Sequence, residues 1–260
     1  PKIVYCHTPA RWLYQAEDYL PNGAARRAFD VVRPYLLDWD RAAAHSADRY
    51  VVNSTVVAQR VRDAYGISAE VVHPPVSIDA AGDQEPVPGL EPGYWLTIAR
   101  GRKYKNVDVV VEGTRGLGEP LVVAGSGSVG LADGESHVRA LGVVPDPQLR
   151  WLYANARALV SVSHEDFGLT PLEANSFGTP AAVLKAGGFL DSLEEGVSGA
   201  FIEAPTSEAV AGTLETLGSF DERRVIDHAR QFAPPAFAAR LNDVVSGVVH
   251  GHREPQPRAA

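Results

Sequence analysis

Residues 158–173 read ALVSVSHEDFGLTPLE, and this stretch decides the fold. Residues 158–161 form a short apolar run bounded by a polar loop, the pattern of a strand buried on both faces. The run breaks at His164-Glu165-Asp166, passes Gly168, and predicts a helix from about Leu169 to Phe177. Working outward, the same alternation continues in both directions. Strands are predicted at 94–99, 120–124, 181–184 and 200–203, and helices at 107–114, 146–155, 207–217, 222–232 and 235–249. Asp146 is expected to cap the second of these helices, with Pro147 as its first residue. Strands alternating with helices imply an α/β fold with a parallel sheet covered on both faces.

The amino-terminal third continues the theme. An apolar run at 3–6 ends at His7-Thr8-Pro9, and residues 10–37 carry aromatics and charges at helical spacing, interrupted by Pro21-Asn22-Gly23. Residues 49–52 read as a strand. A helix starting at Asn53-Ser54 runs to Tyr65, where Gly66 supplies the left-handed residue that ends it. Another strand is predicted at 70–73. Residues 77–93 are rich in Pro, Gly and acidic side chains without periodicity, so they are expected to be a linker and hinge. The expected division is a partial amino-terminal lobe over 1–80, a nucleotide-binding α/β domain over 81–234, and a returning helix with a frayed tail over 235–260.

The formal net charge of −8 argues against general nucleic-acid binding. The longest apolar runs are strand-sized and no stretch reaches bilayer length, which leaves only peripheral contact with a membrane open. The single cysteine, Cys6, forms no intrachain disulfide and suits a reducing compartment, so a cytoplasmic location is expected. The sequence contains no methionine and opens directly on a strand, so a preceding segment is expected to have been removed or omitted. The histidines have no metal-ligand spacing with one another or with Cys6, and no metal site is expected.

Binding sites in parallel α/β sheets lie at the carboxyl ends of the strands, which singles out the loops 7–11, 100–105, 125–127 and 164–169. Glu165 and Glu173 are separated by seven residues with Phe167, Gly168 and Leu169 between them. Glu173 falls about one turn inside the helix, where a carboxylate can accept two hydrogen bonds from vicinal hydroxyls. The free N–H groups near Gly168 and Leu169 suit an anion, and a glycine lets a ligand approach the backbone. Taken alone, such a pair also reads as a capping carboxylate and a surface glutamate. Arg100-Gly101-Arg102-Lys103-Tyr104-Lys105 follows a strand, where Arg and Lys can hold a diphosphate; a solvated basic loop is the other reading. Gly125-Ser126-Gly127 is either a plain turn or a close approach to a ligand, and Gly187-Gly188 either offers backbone N–H groups to a sugar or is a simple turn. His7 can hydrogen-bond a sugar hydroxyl or serve structurally, and Arg11 can hold a phosphate or an acceptor.

Taken together and in order, these motifs resemble family 4 of the retaining glycosyltransferases. The likeness runs from about residue 5 to residue 237. It rests on Glu165 with Phe167-Gly168-Leu169, then Glu173-Ala174-Asn175, then Phe177-Gly178-Thr179-Pro180, and on the Arg100-x4-Lys105 spacing. The opening Tyr5-Cys6-His7-Thr8-Pro9-Ala10-Arg11 is similar to the subgroup containing bacterial O-antigen mannosyltransferases. The resemblance implies the GT-B architecture, two Rossmann-like lobes with parallel sheets, of which the amino-terminal one is incomplete here. It implies that Arg100 and Lys105 neutralise the donor diphosphate, that Glu165 meets the transferred sugar, and that Glu173 binds the ribose. Backbone at Phe167, Gly168 and Leu169 would contact phosphate or sugar. Gly125 would lie near the donor, and Gly142, Val143 and Val144 would meet the base. His7 would touch the donor sugar from the other lobe, and Arg11 would sit on the acceptor side.

The expected activity is metal-independent, retaining transfer from a nucleotide diphosphate sugar, with GDP-mannose favoured, to a glycan, lipid-linked or small-molecule hydroxyl. The nucleotide sugar acts as co-substrate and no resident cofactor is expected. Two other readings stand beside it: a sugar-nucleotide-binding module that needs a partner chain for catalysis, and a nucleotide-sugar epimerase of the same architecture. Oligomeric state is silent in the sequence.

Overall fold

Every named strand pairing among the described residues is parallel. The structure is a computed structural model that describes residues 1–19, 23–98, 105–128, 130 and 134–251. The chain forms two units, Pro1–Pro74 with Pro235–Ala260, and Pro75–Pro234.

The first unit holds a three-stranded sheet in the order β1 (Ile3–Cys6), β2 (Arg49–Val52), β3 (Glu70–Val71). Between β1 and β2 run α1 (Arg11–Tyr14), α2 (Ala16–Tyr19) and α3 (Ala24–Ala44); α4 (Thr55–Tyr65) joins β2 to β3. Ser54 caps α4 by accepting the Val57 N–H, and Gly66 ends the helix at φ 70°, as its sequence position predicts. Val57, Val61, Ala64 and Tyr65 are the buried face of α4 and pack with Tyr50 and Val52. Phe237 and Val244 of α11 (Pro234–Gly251) join Tyr5, Val51 and Val72 in a second cluster. The long helix α3 runs through Pro34 and on to Ala44, past the predicted end near residue 37. Val31, Val32, Tyr35 and Trp39 on it are exposed.

The second unit has a six-stranded sheet in the order β6-β5-β4-β7-β8-β9. These strands are β4 (Tyr94–Ile98), β5 (Leu121–Ala124), β6 (Val138–Gly142), β7 (Ala156–Ser161), β8 (Ala181–Leu184) and β9 (Gly199–Ile202). The connecting helices include α5 (Val107–Gly113), α6 (Asp146–Asn155), α7 (Leu169–Asn175), α8 (Phe189–Ser192), α9 (Ser207–Glu215) and α10 (Glu222–Arg230). All four side chains of β5 and all four of β8 are buried. Burying one Val or Leu is worth about 1.5–3 kcal/mol, against a strand-propensity range of about 1 kcal/mol. Two-sided burial, rather than propensity, therefore holds these strands central. The strand order reverses between β4 and β7, so the carboxyl ends of those two strands flank the switch point where such sheets bind ligands.

Several expectations need correction. Residues 77–93 are not a linker: the boundary lies at Pro74/Pro75, and the segment is part of the second unit. Its polar composition hides apolar anchors, since Val76, Val87 and Leu90 are buried. Its backbone is also tied down. The Val76 N–H donates to Phe232 O (2.9 Å), Arg150 Nε donates to Asp79 O (2.9 Å), and Arg139 donates to Pro88 O and Gly89 O (both 2.5 Å). Asp146 does not cap α6. Pro145 is the extended residue before the helix, and Asp146 lies inside its first turn without a capping hydrogen bond, where its charge still suits the helix dipole. The strand β6 and the short helix α8 went unpredicted. β6 carries mixed residues that are only half-buried at an outer edge of the sheet, so it has neither the apolar run nor the alternation of a strand.

Candidate active site

The loop after β4 ends on Asn106, the one non-glycine residue at positive φ (47°) among those described. Asn tolerates this left-handed conformation because its short polar side chain hydrogen-bonds locally. Here Asn106 Nδ2 donates to Val162 O just past β7 (3.0 Å). That bond stitches together the two loops on either side of the switch point.

Lys105, next to Asn106, thereby meets Glu165. Lys105 Nζ donates to Glu165 Oε1 at 2.5 Å, and the side chains are 13% and 19% exposed. The same carboxylate oxygen accepts from Ser163 Oγ (2.8 Å), which is itself paired with Ser161 Oγ (2.9 Å). The pair is thus a partly buried, charge-assisted contact held from behind by a hydroxyl relay. Ser161 and Ser163 escaped the sequence reading. Their alternation with Val160 and Val162 was the available signal, since it turns two hydroxyls to one side of the strand end.

The Glu165 loop is braced by the loop before α8. The Gly188 N–H donates to Glu165 O (2.9 Å). A Cβ on Gly187 would fall 2.6 Å from Glu165 O, and one on Gly188 would fall 2.2 Å from the Phe167 Cα. Gly187-Gly188 is therefore a close approach of backbone to backbone, and the Gly188 N–H, read as a donor for a sugar, is spent on the protein. Gly168 has a similar explanation. It sits at φ 84°, and a Cβ there would lie 2.4 Å from the Phe189 ring, so left-handed geometry and packing demand the glycine without reference to a ligand. Phe167 is buried with Val76 and Leu172, and Leu169 is partly exposed as the first residue of α7. The first N–H groups of α7 have no partner within the helix.

Glu173, on α7, is not hydrogen-bonded to the Lys105–Glu165 pair. Its Oε2 accepts the Tyr153 hydroxyl (2.7 Å), which fixes one oxygen and leaves acceptor capacity on the carboxylate. Glu173 borders a cavity of about 260 Å³ together with Asp79, Asp146, Leu149 and Arg150. Tyr153 was missed because its signal, a Tyr twenty positions before a Glu, has no local meaning.

Gly125 and Gly142 end neighbouring strands and are joined, the Gly125 N–H donating to Gly142 O (2.6 Å) and the Gly142 N–H to Ser128 Oγ (2.7 Å). Val143 is exposed, whereas Val144 packs against the core. Arg100 lies outside the described residues. His7 and Arg11 belong to the first unit: His7 is exposed with its ring edge-on to Tyr5 (5.2 Å), and Arg11 opens α1. Among the described residues no group of three or more His, Cys, Asp or Glu could hold a metal ion, and no helix is long and apolar enough to cross a membrane.

A parallel sheet with reversed strand order and a carboxylate–ammonium pair at its switch point defines the second unit as a doubly wound α/β domain. Residues 83–231 match the family described as glycosyl transferases group 1, and the chain belongs to that family. A D-inositol 3-phosphate glycosyltransferase from Streptosporangium roseum is 27% identical over 96% of this chain and 64% of its own length. D-inositol 3-phosphate glycosyltransferase 2 of Catenulispora acidiphila is 31% identical over 77% of this chain and 56% of its own. The chain thus spans less than two thirds of these relatives. Among solved structures, sucrose-phosphate synthase from Thermosynechococcus elongatus aligns with a TM-score of 0.74 at 17% identity, covering 96% of this chain and 68% of that one. Anabaena HepE in complex with UDP-glucose aligns with a TM-score of 0.63 at 17% identity, covering 81% and 67%. The fold class is accordingly that of the GT-B glycosyltransferases.

Proposed function

We propose that this chain carries the donor site of a retaining, metal-independent glycosyltransferase that uses a nucleotide diphosphate sugar as co-substrate. The observation that carries the reading is the Lys105–Glu165 pair across the switch point. A donor diphosphate would compete with Glu165 for the Lys105 ammonium, freeing the carboxylate to accept from the hydroxyls of the transferred sugar. As the glycosidic bond breaks, negative charge grows on the leaving diphosphate oxygen, where a positioned cation lowers the barrier. The acceptor hydroxyl attacks on the face the diphosphate leaves, the departing oxygen takes its proton, and the anomeric configuration is kept. Arg100 is assigned a second positive charge at the diphosphate, His7 a contact to the donor sugar, and Arg11 a part on the acceptor side. HepE, bound to UDP-glucose, and the glycosyltransferase names of the relatives support the donor class.

Glu173 is assigned the ribose. The cavity beside it is assigned the base, with guanine proposed over uracil. Asp79 and Asp146 border it, and a carboxylate matches the two adjacent N–H donors of guanine, whereas uracil presents a single N–H. GDP-mannose is therefore the proposed donor, in keeping with the likeness of residues 5–11 to mannosyltransferases.

Isothermal titration of the chain with GDP, UDP and dTDP, without metal, tests the reading. Selective binding of GDP that is lost in Glu173→Ala is expected. Binding of none of the three would refute the donor site, and selective binding of UDP would refute the guanine assignment.

A further inference from the structure

Glu165 Oε1 receives both of the carboxylate's hydrogen bonds, one from Lys105 Nζ and one from Ser163 Oγ. Oε2 makes none among the described residues. On the donor reading above, on which the inference rests, a diphosphate draws the Lys105 ammonium away. Ser163 is then the one side chain among the described residues still bonded to Glu165, and a glutamate released by both partners regains its rotamer freedom.

Ser163 is fully buried, so its hydroxyl acts through another group rather than on a substrate. Buried hydroxyls elsewhere in the second unit, such as those of Thr114 and Thr179, donate to main-chain carbonyls. The Ser163 hydroxyl instead donates to a side chain at the switch point. The direction of the relay follows from the chemistry. A carboxylate facing an ammonium only accepts, so the Ser163 O–H points to Glu165 and its oxygen accepts from the Ser161 O–H (2.9 Å). A hydroxyl that itself accepts a hydrogen bond is polarised and donates more strongly. The footing of the relay is fixed as well. Between the two serines Val162 O accepts from Asn106 Nδ2, and beyond them Glu165 O accepts from the Gly188 N–H.

We propose that Ser163 is a positioning residue of the transfer reaction. It holds Glu165 Oε1 once the diphosphate has taken Lys105, which leaves Oε2 to accept from a hydroxyl of the transferred sugar. Its effect is confined to the sugar and passes wholly through Glu165.

Isothermal titration of the chain with GDP and GDP-mannose, and with UDP and UDP-glucose, tests it. The readout is the ratio of the two dissociation constants within a pair, because the nucleoside diphosphate lacks only the sugar. Ser163→Ala should shift that ratio about tenfold against the sugar nucleotide, the scale of one hydrogen bond to a charged group. Ser161→Ala, which removes only the outer hydroxyl, should shift it the same way by less. In a Glu165→Ala background, Ser163→Ala should shift it no further, because the group it positions is gone. Equal weakening of both ligands by Ser163→Ala would make the serine merely structural and overturn the proposal, as would a tenfold shift that persists without Glu165. Either result leaves the donor site standing, whereas a wild type that binds neither pair overturns the donor reading and the positioning role together.

Discussion

Gly168→Ala separates two reasons for a glycine, left-handed backbone and lack of space, because the second unit contains a matched control. Gly168 lies at φ 84° and Gly196 at φ 75°, so alanine at either site bears a left-handed strain of about 1–2 kcal/mol. At Gly196 nothing lies within 4 Å of the added Cβ, whereas at Gly168 the Phe189 ring lies 2.4 Å away. Phe189 is fully buried and cannot swing out, so the Gly168 variant also bears an overpacking cost of about 1–3 kcal/mol. Gly196→Ala should therefore lose about 1–2 kcal/mol and Gly168→Ala about 2–5 kcal/mol. At about 2–4 °C per kcal/mol for a unit of this size, their melting temperatures should differ by several degrees. Urea unfolding followed by the fluorescence of Trp95 and Trp151, both in the second unit, supplies the free energies. Equal destabilisation of the two variants would refute the packing argument and leave the left-handed backbone alone to account for Gly168.

Three further outcomes follow from the same structure. Lys105→Ala should lower turnover of a nucleotide sugar by about 10²-fold, the scale for one preorganised charge-stabilising group; near wild-type turnover would remove Lys105 from the leaving group. Thr206 caps α9 by accepting the Ala209 N–H, so Thr206→Ala should cost about 1 kcal/mol in urea unfolding, and Thr206→Ser should restore most of it. Burial pushes the Tyr5 hydroxyl up to about 12, and burial, then the hydrogen bond to Asp40, does the same for Tyr14. The unfolded chain releases these protons near pH 10, so between about pH 10 and 12 it binds fewer protons than the folded chain and stability falls as pH rises. Alkaline titration should show first-unit unfolding together with the rise in tyrosinate absorbance. Ionisation of both tyrosines near pH 10 with the fold intact would contradict it.

The alternation of buried runs with helical segments was enough to identify a parallel α/β fold, because central strands must be apolar on both faces and residues 121–124 and 181–184 leave no other use for themselves. The glutamate motif was equally legible, since a strand, a loop and a helix start are all local patterns. Contacts between sequence-distant residues were not legible. Lys105 and Glu165 are 60 positions apart, and Tyr153 reaches Glu173 across two elements; only the strand order makes them neighbours. Composition even misdirected at residues 77–93, where buried Val76, Val87 and Leu90 outweigh the Pro, Gly and acidic residues around them. The glycines 168, 187 and 188 could be recognised as special from sequence, but not the reason, because what forbids a Cβ there is a ring and a backbone delivered by other elements. Sequence pattern determines which segments become strands and helices through local sterics and burial. Which charges face each other is decided by how the sheet orders those strands, a property of the packed whole.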